Sequence, residues 1–487
     1  MEDLFGDFVI VGGGIAAVSC AQELSSLVPA NASIIVVSAH ALVKAASNWR
    51  QVGRVAESFD VTEQKATSIF ADYPNITVVP AKVASLDYSS KCVRLDGGGV
   101  VRFKKLCIAT GARPKMQFES DFVLAIRDTE TVKTFQRRLK DAKRIVIVGN
   151  GGIATELVYG LRNVDIIWAV KHSSISATFF DAGAGQFFLP ELMQPSHDNE
   201  ATAMKRLKYT TDSPAVDTAA SPSITGSALG PDWSTNVEIK GAAMGRHVRV
   251  VYGVELDAIV SPADFRGSQS RITPLPTEFE EKQEWNVYVK LSNGEIYGCD
   301  LIVSAIGVDP NSELWTDGNP TLKVASDGGL EVNEQMETSL SGVYAAGDVC
   351  TTGWSPAPHW MQMRLWTQAR QMGAYAARCM AASNPMQLDI CFEIFTHVTS
   401  FFGLKVILLG KYNGQGLGAG CHALLRVQNG EEYVKVLVED GRVHGAVLVG
   451  ETDLEETLEN LILNQTDISH IEDGLLDPSI DIEDYFD

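Results

Sequence analysis

The chain has 487 residues, 45% of them hydrophobic and 21% charged, with a formal net charge of −21. That length accommodates about three domains of ordinary size, and the acidic balance argues against general binding to nucleic acid or to an anionic membrane. No apolar run approaches the length of a membrane-spanning helix. The opening MEDLFGDFVIVGGG has neither the basic region nor the cleavable apolar segment of a secretory signal, so none is expected. Eight cysteines are present, none in C-x-x-C or C-x4-C spacing, which excludes a zinc ribbon and a local redox pair. Several sit in apolar runs such as KLCIATG, where cysteine behaves as a small buried hydrophobe. A reduced setting, cytoplasmic or nuclear, is expected.

The first element, DFVIVGGGIAAVSCAQEL, reads as an apolar strand, a glycine turn and a helix. Gly12, Gly14 and Ala17 form G-x-G-x-x-A: the first glycine for the tight turn, the second for backbone approach to a pyrophosphate, the alanine for close helix–strand packing. A pyrophosphate would meet the free N–H groups of the helix N-terminus. Further on, KKLCIATGARPK is a buried strand that runs into Thr110 and Gly111. The glycine pattern then recurs in RIVIVGNGGIATELVYGL with Gly149, Gly151 and Ala154. Two such units more than a hundred residues apart are hard to explain as packing glycines.

After DIIWAV, residues 173–245 are rich in Ser, Thr, Ala and Gly and read as an irregular excursion. Regular strands return in VRVVYGVELDAIV and NVYVKLSNGEIYGCDLIVSAIG. Near residue 340, TSLSGVYAAGDV brings Gly347 and Asp348. The helix QARQMGAYAARCM presents Ala369, Gly373, Ala376 and Ala377 at helical spacing. VKVLVEDGRVHGAVLVG reads as a hairpin around Asp440-Gly441.

The two cradles, the A-T-G-x-x-P segment and the G-D segment, in this order, resemble the pyridine nucleotide–disulfide oxidoreductase family of flavoproteins. The resemblance implies an α/β fold with two Rossmann-like units, one for FAD and one for NAD(P)H, the second inserted in the first. It implies an FAD-binding domain over residues 1–121 and 306–385 and an NAD(P)H-binding domain over 122–305 holding the irregular insertion 173–245; the strand and helix patterns beyond read as a β-rich C-terminal domain with a helix over 386–463. It also implies that Asp348 reaches the ribityl chain of FAD, that the small-residue helix packs beneath the flavin ring, and that Glu156 lies near the nicotinamide. As an alternative, Glu156 is a solvent-facing helix residue.

Three departures from the family pattern matter. Where disulfide reductases carry C-x4-C, this chain has LVKAASNW. Lys44 is the polar group there best placed to approach the flavin, or else a surface lysine ahead of a helix. The ribose position after SIIVV is Ser38 rather than an acid. The equivalent position in the second unit is Lys171, followed by His172, which leaves NADPH as acceptable as NADH.

The expected activity is an FAD-dependent NAD(P)H oxidoreductase that passes electrons to oxygen or another non-disulfide acceptor. Alternatively, the protein is a flavin redox sensor or binding protein whose C-terminal tail docks a partner, with turnover incidental. No metal, direct nucleic acid contact or membrane contact is expected.

From Glu451 onward there are thirteen acidic residues and no Lys or Arg. ETDLEETLENLIL suggests an amphipathic helix with Leu454, Leu458, Leu461 and Ile462 on one stripe. The acidic tail, 464–487, reads as extended or disordered. It is either a solvated end or a partner-binding element in which Asp481, Glu483, Asp484 and Asp487 flank the anchors Tyr485 and Phe486. The resemblance points to the tRNA-splicing ligase as a partner protected from oxidation.

Overall fold

In the computed structural model, the described residues are 3–127, 129–193, 239–428 and 430–478. The first sheet has the order Ile76–Pro80, Ile34–Ser38, Leu4–Val11, Val100–Ile108, Cys92–Leu95 and Val83–Asp87, with Val343–Ala345 also paired to Val100–Ile108. Its central pairings are parallel, and Val11 and Ala345 both stand opposite Ile108. That register brings three motifs to one sheet edge: the first glycine turn, Ala109–Gly111, and Gly347-Asp348.

The second sheet is wholly parallel, in the order Val123–Ala125, Leu301–Ser304, Arg144–Val148, Asp165–Val170, Val248–Tyr252. Arg144–Val148 and Asp165–Val170 are buried at every position. After their first residues, Arg144 and Asp165, both are unbroken apolar runs, which suits strands covered on both faces. Val148 stands opposite Ala169 and Ser304, which places Gly149, Lys171 and Ala305 at the same edge. Because this sheet is built between residues 123 and 304, it interrupts the first, whose last strand is Val343–Ala345. The strands Ala112–Pro114 and Val308–Pro310 pair antiparallel at the crossing.

A third, antiparallel sheet of five strands follows, in the order Thr396–Phe401, Leu404–Gly410, Arg442–Val449, Glu432–Glu439, His422–Gln428. The fold is therefore α/β with two Rossmann-type units and a β-rich C-terminal part. The hairpin turn falls at Asp440-Gly441, both at positive φ (52° and 67°), as a tight two-residue turn requires.

Three expectations are corrected. Residues 182–193, placed in an irregular excursion, form the helix Ala182–Met193. Phe179, Phe180, Phe188 and Leu192 are buried in a core shared with Phe401 of the C-terminal sheet. Averaging the segment's Ser, Thr, Ala and Gly content hid its aromatic cluster. Within that excursion, residues 194–238 lie outside the described residues. Lys44 does not precede a helix; it sits in the strand Leu42–Gln51, paired with Glu57–Lys65. Finally, the start of the acidic tail is packed. Beyond the helix Glu455–Asn464, Ile468, Ile471 and Leu475 are buried against the C-terminal sheet, because apolar residues amid acids were available to a neighbouring core. Residues 481–487, expected as a partner-binding element, lie outside the described residues.

Candidate functional site

Both glycine turns open into one cavity of about 1300 Å³. This exceeds the ~300–1,000 Å³ usual for a single small-molecule site and suits two dinucleotides.

The turns are built alike. Gly12 (φ +144°) and Gly149 (φ +134°) occupy backbone space that other residues rarely adopt, and a Cβ at either would collide with the carbonyl of Ala109 or Ala305. Gly14 and Gly151 face open space instead. Each is the N-cap of its helix, Ile15–Leu27 or Gly152–Gly160, without a capping side chain or an acid in the first turn. The leading N–H groups therefore remain available to an anion. Ala17 and Ala154 are fully buried behind the turns. The helix Trp366–Ala381 seats Gly373 on the backbone of Ala16, where a Cβ would clash. Gly347 (φ +76°) closes tightly on the Ala16 side chain.

Around the first turn, charge gathers. Asp348 lines the cavity with Lys44, Arg127 and Arg364. Burial pushes its carboxyl above the ordinary range, while Arg127, Arg364 and Lys44 oppose that rise. Arg364 donates to the Asp348 carbonyl (2.9 Å) and to the Asp327 carboxylate (2.7 Å). The Lys44 ammonium donates to the Arg127 carbonyl (3.3 Å) and lies 3.9 Å from Glu63, its cross-strand neighbour. The Ser38 hydroxyl is engaged locally with the backbone of His40. Thr110 fixes the crossing: its hydroxyl accepts from the buried Trp315 indole (3.1 Å), and its carbonyl from Asn311 (2.9 Å). Gly111 (φ +66°) brings the chain close to the Arg127 guanidinium.

Around the second turn, Asn150 ties the cradle to the following loop. Its amide donates to the Ser174 carbonyl (2.9 Å) and meets the His172 ring (3.1 Å). Glu156 lines the cavity rather than facing bulk solvent. Lys171 also lines it, but in an ion pair with Glu255 (2.9 Å), a carboxylate delivered by the loop after Val248–Tyr252.

Of the residues named from sequence, Gly12, Gly14, Ser38, Lys44, Thr110, Gly111, Gly149, Gly151, Glu156, Lys171 and Asp348 line this one cavity. Ala17, Ala154 and Gly347 do not. Sequence reading missed Arg127, Arg364, Glu63, Glu255 and His397, none of which stands in a motif. Asn150 alone had a signal, its place inside the second glycine turn.

No cysteine lines the cavity. Six of the eight are buried and the other two partly so. Burial pushes the thiols of Cys299 and Cys350 far up and that of Cys379 to about 11, so they stay protonated and poorly nucleophilic. No group of His, Cys, Asp and Glu able to hold a metal ion occurs among the described residues.

A family profile described as "Pyridine nucleotide-disulphide oxidoreductase" matches residues 6–189 and 266–373, and one described as "Rubredoxin NAD+ reductase C-terminal domain" matches 399–466. A Mus musculus protein named "Pyridine nucleotide-disulfide oxidoreductase domain-containing protein 1" is 48% identical over 495 residues, 99% of each chain. Its Dictyostelium discoideum namesake is 38% identical over 542 residues, 98% of this chain and 99% of the relative. Among solved structures, a NAD-dependent persulfide reductase from A. fulgidus aligns with TM-score 0.66 at 19% identity, covering all of this chain and 83% of that one. A water-forming NADH oxidase from Lactobacillus brevis aligns with TM-score 0.64 at 15% identity, covering 98% and 95%. At such identities the likeness is one of fold.

Proposed function

The chain belongs to the pyridine nucleotide-disulphide oxidoreductase family, and from that premise we propose an NAD(P)H oxidoreductase whose electrons leave without passing through a thiol. FAD is its cofactor and NAD(P)H its cosubstrate. When bound, the flavin supplies hydride acceptance and onward electron transfer; the residues described here bind, orient and enclose. The first glycine turn and its helix N-terminus would hold the FAD pyrophosphate, and Asp348 would accept from the ribityl hydroxyls. The second turn would hold NAD(P)H, with Glu156 beside it.

The observation that carries this reading is the absence of every cysteine from the cavity. An acceptor such as oxygen, a quinone, a metal ion or a partner's sulfur must then approach the site itself. The test is anaerobic reduction by NADH and NADPH followed by admission of air, repeated on eight single Cys→Ser variants. All should be reduced and reoxidised as the parent is. Loss of either phase in one variant would return the reading to a thiol relay.

The finer part of the proposal is that Asp481, Glu483, Asp484, Tyr485, Phe486 and Asp487 dock a protein partner, and that the partner is a tRNA-splicing ligase shielded from oxidation in the cytoplasm and nucleus. Its support is composition, acids steering and aromatics anchoring, together with the resemblance. Deleting 481–487 should abolish capture of the ligase and leave FAD content unchanged; equal capture would remove this part alone.

A further inference from the structure

His397 opens the C-terminal sheet yet lines the cavity. It is 1% exposed, and its Nε2 has no hydrogen-bond partner among the described residues. Nδ1 lies 3.1 Å from the Thr367 hydroxyl. The ring stacks on Phe179 (centroids 6.0 Å apart) and meets Trp366 edge-on (4.9 Å). Burial alone drives its pKa down to about 3, so the imidazole is neutral at any physiological pH. A buried polar atom without a partner is costly, and native folds retain few of them. A ligand that supplies the partner accounts for this one.

Which ligand follows from what the ring is tied to. Thr367 stands in the first turn of Trp366–Ala381, the helix whose Gly373 seats on Ala16 beside the first glycine turn. The imidazole is thus anchored to the scaffold of the flavin cradle, while Phe179, packed on Gly152, approaches from the second glycine turn. We propose that Nε2 of His397 hydrogen-bonds the imide edge of the bound flavin ring, so that the C-terminal sheet contributes a cofactor-binding residue. That edge offers an N–H flanked by carbonyls, so it satisfies Nε2 whichever ring nitrogen carries the proton. The contact orients the ring without adding charge, and it couples FAD binding to docking of the C-terminal sheet. The inference rests on the FAD reading above.

The test uses full-length protein labelled with ¹⁵N-histidine, freed of FAD and then reconstituted. One neutral imidazole, identified by its loss in His397→Gln, should change its Nε2 shift when FAD is added. His397→Leu should raise the Kd for FAD about tenfold, as loss of one buried hydrogen bond requires, while His397→Gln should stay within a few fold of the parent. An unmoved His397 signal in protein that does bind FAD overturns the assignment and leaves the function standing. Parental affinity in His397→Leu does the same. If that variant fails to fold, the native-sequence spectrum decides. A protein that takes up no FAD overturns the proposed function, and this assignment with it.

Discussion

The two glycine cradles share a backbone and differ in what surrounds it. Gly12 and Gly149 press on Ala109 and Ala305 in matching fashion, and Gly14 and Gly151 both open on the cavity. Around the first, Asp348, Lys44, Arg127 and Arg364 form a charged cluster. Around the second, Phe179 and Phe401 lie over Gly152, and the charged pair Lys171–Glu255 sits at the outer end, largely exposed. The backbone turn is therefore generic, and distant segments make each cradle particular.

The strongest way to break this comparison is to fill each turn separately. Gly12→Ala should abolish FAD retention, at least a hundredfold, since it adds a backbone collision to an unfavourable φ. Gly149→Ala should keep the flavin and abolish its reduction by NAD(P)H. Flavin absorbance and anaerobic mixing report the two separately. If Gly149→Ala loses flavin as well, the cradles are not independent.

Asp348→Ala should weaken FAD binding by roughly 10- to 100-fold, as expected for losing hydrogen bonds to a charged acceptor worth about 1.5–3 kcal/mol. Equilibrium dialysis of the reconstituted protein measures it. Parental affinity would mean that the charged cluster does not serve the flavin.

Two buried histidines give a pH signature. His397 has its folded pKa lowered from 6.5 to about 3; His359, buried outside the cavity 3.0 Å from His444, is lowered to about 4 by burial and by the neighbouring His444 and Lys411. Above pH 6.5 neither affects stability. Below it, the unfolded chain takes up protons that the folded chain refuses, so stability falls, by up to about 1.4 kcal/mol per pH unit for each histidine. The loss from His359 ends near pH 4 and that from His397 near pH 3. Denaturant unfolding at pH 7 and pH 5 should show a smaller loss in His397→Gln than in the parent.

The smallest effect belongs to the exposed pair. Glu255→Gln should free Lys171 to meet a 2′-phosphate and raise the preference for NADPH over NADH two- to threefold, an effect that shrinks with added salt. An unchanged ratio of kcat/KM values would put the adenosine end elsewhere.

The sequence displayed the turns because their geometry restricts residue type. Only glycine suits the φ of Gly12 and Gly149, and the residues leading into each turn, Phe8–Val11 and Ile145–Val148, are all apolar. It hid Arg127, Arg364, Glu255 and His397, because each reaches the cavity through strand register or sheet packing, with no local pattern. The helix Ala182–Met193 was missed for a related reason: its Phe188, and Phe180 just before it, find their partners on Phe402 and Phe401, over two hundred residues away. Ile468, Ile471 and Leu475 were likewise read as tail, because the core that buries them belongs to other strands.

The central claim, that electrons leave the flavin without a thiol relay, is tested most directly by counting them. In an anaerobic reductive titration, the protein should accept two electrons per FAD and no more. Uptake of four electrons per FAD, the capacity of a flavin coupled to a disulfide, would contradict it.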